Sequence, residues 1–170
     1  MILLETERLR LRPLEPGDAA RLAEYRSDAT VARYQSWETM TLEEAEAFIR
    51  GLPQRCLAAP EEWCQIAIVD KRTGALLGDI GLCRHSDNLV ELGFTLAPGA
   101  QGQGLAVEAC RAVLEWVFSF PDVEGLKAVI DSRNAAAIAL VTRLGMAFNR
   151  EETAEFKGAP CREAHFVLRR

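Results

Sequence analysis

Between residues 63 and 98 the chain keeps a period of two. Three β-rich runs, "WCQIAIVD", "GALLGDIGLCR" and "NLVELGFTLAP", are separated only by the turn-forming stretches "KRTG" and "HSDN". Connections that short join antiparallel neighbours, so the runs read as a meander. The period then lengthens. "GLAVEACRAVLEWVFSF" has apolar residues at three-to-four spacing and reads as a helix ending near Pro121, and "GLKAVIDS" returns to a strand. A strand, helix and strand from about residue 89 to 133 make a crossover, which forces its two strands parallel. Meander and crossover together require a mixed sheet.

The flanks supply the remaining layers. "RLRLRPL" alternates and reads as a first strand. A helix follows in "EPGDAARLAEYRSD", with Asp18 as its expected N-cap, and another in "MTLEEAEAFIRGL", where Thr41 and Glu44 form a capping box and Gly51 closes the helix. "NAAAIALVTRLG" is a helix stopped by Gly145, and strands are expected near 146 to 152 and 162 to 169. The expected fold is α+β (mixed α/β): a mostly antiparallel sheet of about seven strands, helices on both faces, and one domain over residues 1–170. Hydrophobic residues are 49% and charged residues 26%, as in soluble globular proteins. No apolar run approaches the roughly 18 residues of a membrane span, and "MILLETERLRLRP" lacks the plan of a signal peptide. Five scattered cysteines without a CxxC point to reduced structural thiols in a cytoplasm, and two histidines leave no His-rich metal centre. A net charge of −5 disfavours non-specific nucleic-acid binding.

The stretch "QGQGLAVEAC" places Gly102 and Gly104 where the first strand of the crossover gives way to its helix. Each glycine would cost about 1 kcal/mol inside a helix, so the turn has another purpose. One is tight packing. The other is a ligand: small residues admit close approach, and the free N–H groups and dipole of a helix start favour an anion such as a diphosphate. A Walker A loop would need Gly-Lys-Ser/Thr, which is absent. A dinucleotide fingerprint would need a third glycine where Val107 stands and an acidic residue elsewhere than Asp122.

Gln101-Gly-Gln-Gly-Leu-Ala106 resembles the Gln/Arg-x-x-Gly-x-Gly/Ala signature of the GNAT N-acetyltransferases. "NAAAIALVTRLGM" is similar to their second block, and the opening "ETERLRLRPLEPGDAARLAEYRSD" and closing "AEFKGAPCREAHFVL" are similar to the branch of ribosomal-protein N-terminal acetyltransferases. The resemblance implies acetyl transfer from acetyl-CoA to a primary amine, a protein N-terminal α-amine or a small molecule. It implies main-chain contacts to pantetheine from Phe94, Thr95 and Leu96. The diphosphate would lie at Gln101, Gly102, Gln103, Gly104, Leu105, Ala106 and Val107, and Asn134 would touch the cofactor as well as cap its helix. The acceptor groove would be lined by Tyr34, Trp37 and Glu38. Expected partners are acetyl-CoA and the amine, with no metal, nucleic acid or membrane, and with a homodimer as an open assembly state.

Acetyl transfer to an amine needs the neutral amine, whose ammonium has a pKa of about 10.4 on lysine-type chains and about 7.7–8.0 at an N-terminus. A carboxylate beside the acceptor can attract the cation and take its proton. Glu91, on the strand entering the cofactor turn, is the first candidate; Glu155 is the second, and Asp79 ranks behind both. The general-acid Tyr of many family members is replaced by Val141, the basic Glu of some N-terminal acetyltransferases by Val129 and the Ser of a related branch by Ala137, so no side-chain acid is assigned. Cys83 and Cys110 fall in regular elements and read as core. The rival readings are an acyl-CoA-binding module with little catalysis and a nucleotide-binding regulatory domain.

Overall fold

The computed structural model describes residues 4–170; residues 1–3, part of the stretch read for a signal peptide, lie outside the described residues. One eight-stranded sheet organises the chain: β1 (Leu4–Glu5), β2 (Leu9–Pro13), β3 (Trp63–Asp70), β4 (Leu76–Arg84), β5 (Leu89–Leu96), β6 (Gly125–Asp131), β7 (Ala147–Phe156) and β8 (Ala159–Arg169). Their spatial order is β1-β2-β3-β4-β5-β6-β8-β7. The helices are α1 (Ala19–Arg26), α2 (Ala29–Ala32), α3 (Leu42–Arg50), α4 (Leu105–Phe118) and α5 (Ala135–Arg143). The eighth strand is the two-residue β1, and α2 was not foreseen. β3, β4 and β5 form the expected antiparallel meander.

β5 and β6 are parallel, as the crossover demands, but they pair only from Leu89↔Gly125 to Glu91↔Lys127. Beyond that point they part, and among the described residues Leu92–Leu96 has no strand on its β6 side. Alternation then sorts the sheet into two faces. Val90 and Leu92 of β5, with Leu126, Ala128 and Ile130 of β6, bury against Val113 and Val117 of α4 and Leu140 and Val141 of α5. Ala67 and Val69 of β3 bury on the other face against Leu22 and Tyr25 of α1 and Ala45 and Ile49 of α3. Glu91, Gly93 and Thr95 therefore face the α1 side.

Thr41 and Glu44 form the capping box expected of α3. Asp18 stands at the expected N-cap position of α1, but its side chain makes no cap hydrogen bond. It sits in a 3₁₀ turn (Pro16–Asp18), and its carboxylate accepts hydrogen bonds from Arg12 at 2.7 and 3.0 Å and from the Glu15 amide at 2.8 Å. α4 ends at Phe118, before Pro121. β7 and β8 run longer than expected because a two-residue turn joins them. Lys157 (φ 50°) and Gly158 (φ 78°) both adopt the left-handed region, the pattern of a type I′ hairpin.

Cys56 and Cys64 form a disulfide with Cα atoms 5.3 Å apart, which corrects the expectation that every cysteine is reduced. Cys83, Cys110 and Cys161 are free and buried, and burial pushes the Cys110 thiol up to about 12. The folded chain should therefore react negligibly with a thiol reagent at neutral pH. After unfolding without reductant it should titrate three thiols of its five cysteines; finding five would remove the disulfide.

Candidate active site

The parting of β5 from β6 opens a cleft of about 690 Å³. One wall is the end of β5 (Phe94, Thr95, Leu96) continuing into Gln101, Gly102, Gly104, Leu105, Ala106 and Val107; the other is α5, from Asn134 to Arg143. Thus every residue expected at the cofactor lines one cleft except Gln103. The Gln103 side chain turns away to donate to the Gly99 carbonyl at 3.0 Å, while its own carbonyl accepts from Arg8 at 2.9 Å.

The turn suits an anion. Gly102 and Gly104 both have φ 76°, a conformation costly for residues with a Cβ. Gly104 is the N-cap of α4 and supplies no side-chain cap, and the first intrahelical bond runs from the Glu108 amide to the Gly104 carbonyl at 3.1 Å. The amides of Leu105, Ala106 and Val107 thus lack helical acceptors at the positive end of a 14-residue helix. Arg33 and Arg143 line the same cleft and add two cations. This donor set fits a diphosphate.

A network fixes the turn from outside. Glu108 accepts from the Thr6 hydroxyl at 2.6 Å, the Arg8 amide at 2.9 Å and Arg8 Nε at 2.7 Å. Burial raises the pKa of Glu108, but the hydrogen bonds of Thr6 and Arg8 outweigh it and leave the carboxyl below its ordinary range. Asn134 caps α5 by accepting from the Ala137 amide at 3.2 Å, so it serves helix and cleft together. Val141 is fully buried, so no acid stands where the family's Tyr would be.

Tyr34 crosses the mouth of the cleft. Its ring lies 5.1 Å from the Arg33 guanidinium and 5.5 Å from that of Arg133, and its hydroxyl reaches the Arg133 carbonyl at 3.4 Å. Trp37 is elsewhere: its Nε1 donates to the Arg26 carbonyl at 2.8 Å and its ring stacks on the Arg26 guanidinium at 4.2 Å. Glu38 is exposed and lines no part of the cleft. Of the expected acceptor residues, only Tyr34 reaches the cleft.

Arg26 belongs to a buried polar cluster. Its Nη2 donates to Asp79 Oδ1 at 2.7 Å, and the Tyr25 hydroxyl donates to the other carboxylate oxygen. Burial, and then the Asp79 carboxylate, hold the Tyr25 phenol far above its usual range, so it remains a donor. With Asp79 2% exposed and fully engaged, it anchors α1 to the sheet beside Thr95 rather than meeting substrate.

On the α1 face, Gly81 and Gly93 lie opposite each other in β4 and β5. Gln65 and Trp63 lie across Gly81, 3.0 and 3.3 Å from where a Cβ would stand, whereas nothing lies within 4 Å above Gly93. A trough floored by glycine results, one strand repeat from Glu91. Glu91 is partly buried, with Cys83 and Lys127 as cross-strand neighbours and His85 Nε2 at 2.7 Å. Glu155 pairs with Pro160 near the hairpin tip, in the register of Phe166 and Ala164, and so stands on the opposite sheet face from Glu91. Sequence reasoning passed over Glu61, Trp63, Gln65 and His85. The period-two spacing of Cys83 and His85 was a signal that they share a face, but only the register brings Glu61 and Glu91 to them. Glu61, Cys83 and His85 each bring a donor atom within 4.8 Å of the others, yet both nitrogens of His85 already have carboxylate partners.

Comparison with known proteins agrees with this geometry. Residues 8–147 match the model of the acetyltransferase (GNAT) domain family. An uncharacterized N-acetyltransferase of Bacillus licheniformis is 27% identical over 147 residues, covering 85% of this chain and 82% of that protein. Spermidine N(1)-acetyltransferase of Escherichia coli is 26% identical over 150 residues, 87% of this chain and 77% of that one. Among solved structures, spermidine N-acetyltransferase from Vibrio cholerae in complex with CoA and spermine superposes with a TM-score of 0.81 at 18% identity, covering 96% of both chains. A ribosomal-protein alanine acetyltransferase from Vibrio fischeri gives 0.80 at 18% identity, covering 99% and 97%.

Two substitutions test the site. Asp79→Ala strands a buried guanidinium and should cost about 3–5 kcal/mol in urea unfolding; a loss below about 1 kcal/mol would show that the cluster is not an anchor. Gly104→Val should leave the fold largely intact and weaken CoA binding about tenfold or more by calorimetry, and unchanged affinity in a folded variant would move the anion site elsewhere. The matched family model covers most of the chain, which therefore belongs to the GNAT acetyltransferase family.

Proposed function

We propose that the chain transfers acetyl from acetyl-CoA to a primary amine by direct attack on the thioester. The observation that carries this reading is the continuity of the cleft from the amides of Leu105–Val107 to the parted edge of β5. The main-chain groups of Phe94, Thr95 and Leu96 hold an extended amide-bearing arm there, as an added strand would be held. Arg33, Arg143 and the α4 amides bind the diphosphate. The acceptor enters from the α1 face over Gly93, where the sheet carries no side chain.

Glu91 stands two residues along the same face, about 7 Å from Gly93 by strand rise. It attracts the ammonium and takes its proton, which frees the lone pair for attack on the carbonyl. The thiolate of CoA leaves with an unperturbed thiol pKa of about 8.5, helped by backbone donors, since Val141 supplies no acid. The names of related proteins support two acceptor classes, a polyamine such as spermidine or the α-amine of a ribosomal protein. Cys83 and Cys110 are buried and their thiols are raised in pKa chiefly by burial, which disfavours an acyl-cysteine intermediate.

The test is release of CoA thiol from acetyl-CoA across a panel of polyamines and N-terminal peptides. Amine-dependent release is expected; tight CoA binding without it would identify an acyl-CoA-binding module instead. Glu91→Gln should keep CoA affinity and slow turnover about 10²- to 10⁴-fold, with the deficit shrinking at high pH where free amine is abundant. Glu155→Gln, altered on the opposite face, should turn over close to the unaltered chain. A near-normal Glu91→Gln would end the assignment of the base.

A further inference from the structure

His85 has a carboxylate on each ring nitrogen: Glu61 Oε2 lies 2.8 Å from Nδ1 and Glu91 Oε2 lies 2.7 Å from Nε2. A side chain with two nitrogens so occupied has its ring plane and its orientation fixed together. The outer carboxylate is itself held firmly. Glu61 adopts φ 60°, an uncommon left-handed conformation for a residue with a Cβ. Its amide donates to the Arg84 carbonyl at 2.7 Å, and its Oε1 accepts from the Ser86 amide at 2.9 Å. The Ser86 hydrogen bond, and then His85, hold the Glu61 carboxyl below its ordinary range. The segment that carries it is closed by the Cys56–Cys64 disulfide, eight residues apart in sequence.

The inner carboxylate is held on one side only. Glu91 Oε2 is taken by His85, while Oε1 has no hydrogen bond among the described residues, and the same sheet face continues to the open floor at Gly93. The other charged or titratable groups around the cluster are Cys83 of β4, Lys127 of β6 and Asp87, which lies 3.9 Å from Lys127. Glu91 and His85 are each about one-fifth exposed, and Glu61 more than half, so the row of groups runs from solvent inward to the trough.

We propose that His85, braced by Glu61, is a positioning residue for acetyl transfer: it fixes one oxygen of Glu91 and leaves the other aimed at the acceptor amine over Gly93. This rests on Glu91 being the base. The chemical step is unchanged by it. One proton leaves the ammonium for Glu91 Oε1, the amine lone pair forms the new C–N bond, the C–S bond breaks to the CoA thiolate, and the second proton shed by the acylated nitrogen passes to that thiolate, which leaves as the thiol. His85 touches neither amine nor thioester; it removes the rotamer freedom of Glu91, and a carboxylate misplaced by about 1 Å costs on the order of 10² in rate.

The experiment is a double-mutant cycle on kcat with KM for acetyl-CoA followed in parallel. His85→Ala should lower kcat about 10- to 100-fold with KM for acetyl-CoA unchanged, and His85→Gln, which keeps a donor near the same place, should recover part of the loss. Glu61→Gln should give a smaller loss in the same direction. In the Glu91→Gln background, His85→Ala should cost nothing further, because there is no base left to position. Independent, additive losses would show that His85 acts elsewhere and overturn the proposal. If Glu91→Gln is slow and both folded variants at His85 and Glu61 turn over normally, the base stands and the positioning role falls. If Glu91→Gln is itself near normal, the base assignment falls first. Should His85→Ala fail to fold, judged by circular dichroism, the cycle of Glu61→Gln with Glu91→Gln decides by the same additivity.

Discussion

Two strands that pair for only three residues determine the rest of this molecule. Parallel pairing of β5 and β6 follows from the α4 crossover, yet continuing that ladder would have consumed the N–H and C=O groups of Leu92–Leu96. Their lack of a neighbour is tolerable only where something else can satisfy them. On the proposed reading the amide-bearing arm of acetyl-CoA would do so, with its diphosphate at the free amides of α4. That reading puts the cosubstrate at a single place in the fold, the end of a strand ladder.

Such an opening weakens the middle of the sheet, and polar contacts from both sides restore its rigidity. Asp79, Arg26 and Tyr25 tie α1 to β4 beside Thr95 on the same sheet face. Glu108 ties the start of α4 to the β1–β2 turn through Thr6 and Arg8. Across the mouth, Tyr34 bridges to Arg133, and Lys157 at the hairpin tip donates to the Ala32 carbonyl at 3.0 Å. Polar contacts of this kind add little net stability, but they fix relative positions, and a site made from two walls depends on that.

Much of this was legible in the residues. The period-two runs, the short turns between them, the Thr41–Glu44 box and Gly102–Gly104 each act locally, so a local reading found them. The failures share one cause: they depend on what lies opposite. Asp18 has the right chemistry for a cap, but Arg12, brought back by β2, claims its carboxylate. Trp37 looks like a groove residue until Arg26 is placed beneath it. A disulfide at Cys56–Cys64 requires two Cα atoms 5.3 Å apart, which no spacing announces. His85 was invisible for the same reason, since its partners lie 24 residues before it and 6 after. The glycine turn was readable because backbone geometry makes it, and Glu91 could be named from its strand, but the side chains that surround Glu91 were not, because cross-strand register brings them together.

The outer boundary of the sheet has its own logic. β7 is the last strand, largely exposed, and beyond it a row of backbone donors and acceptors faces outward. An open row like that is a template on which any extended chain, including another copy, can lay a further strand. Along "AFNREETAEF" stand Arg150, Glu151, Glu152 and Glu155. A second β7 approaching in register would bring glutamates against glutamates. Charge along this edge therefore opposes the addition of a further copy of β7, one of the ways in which sheet edges are guarded.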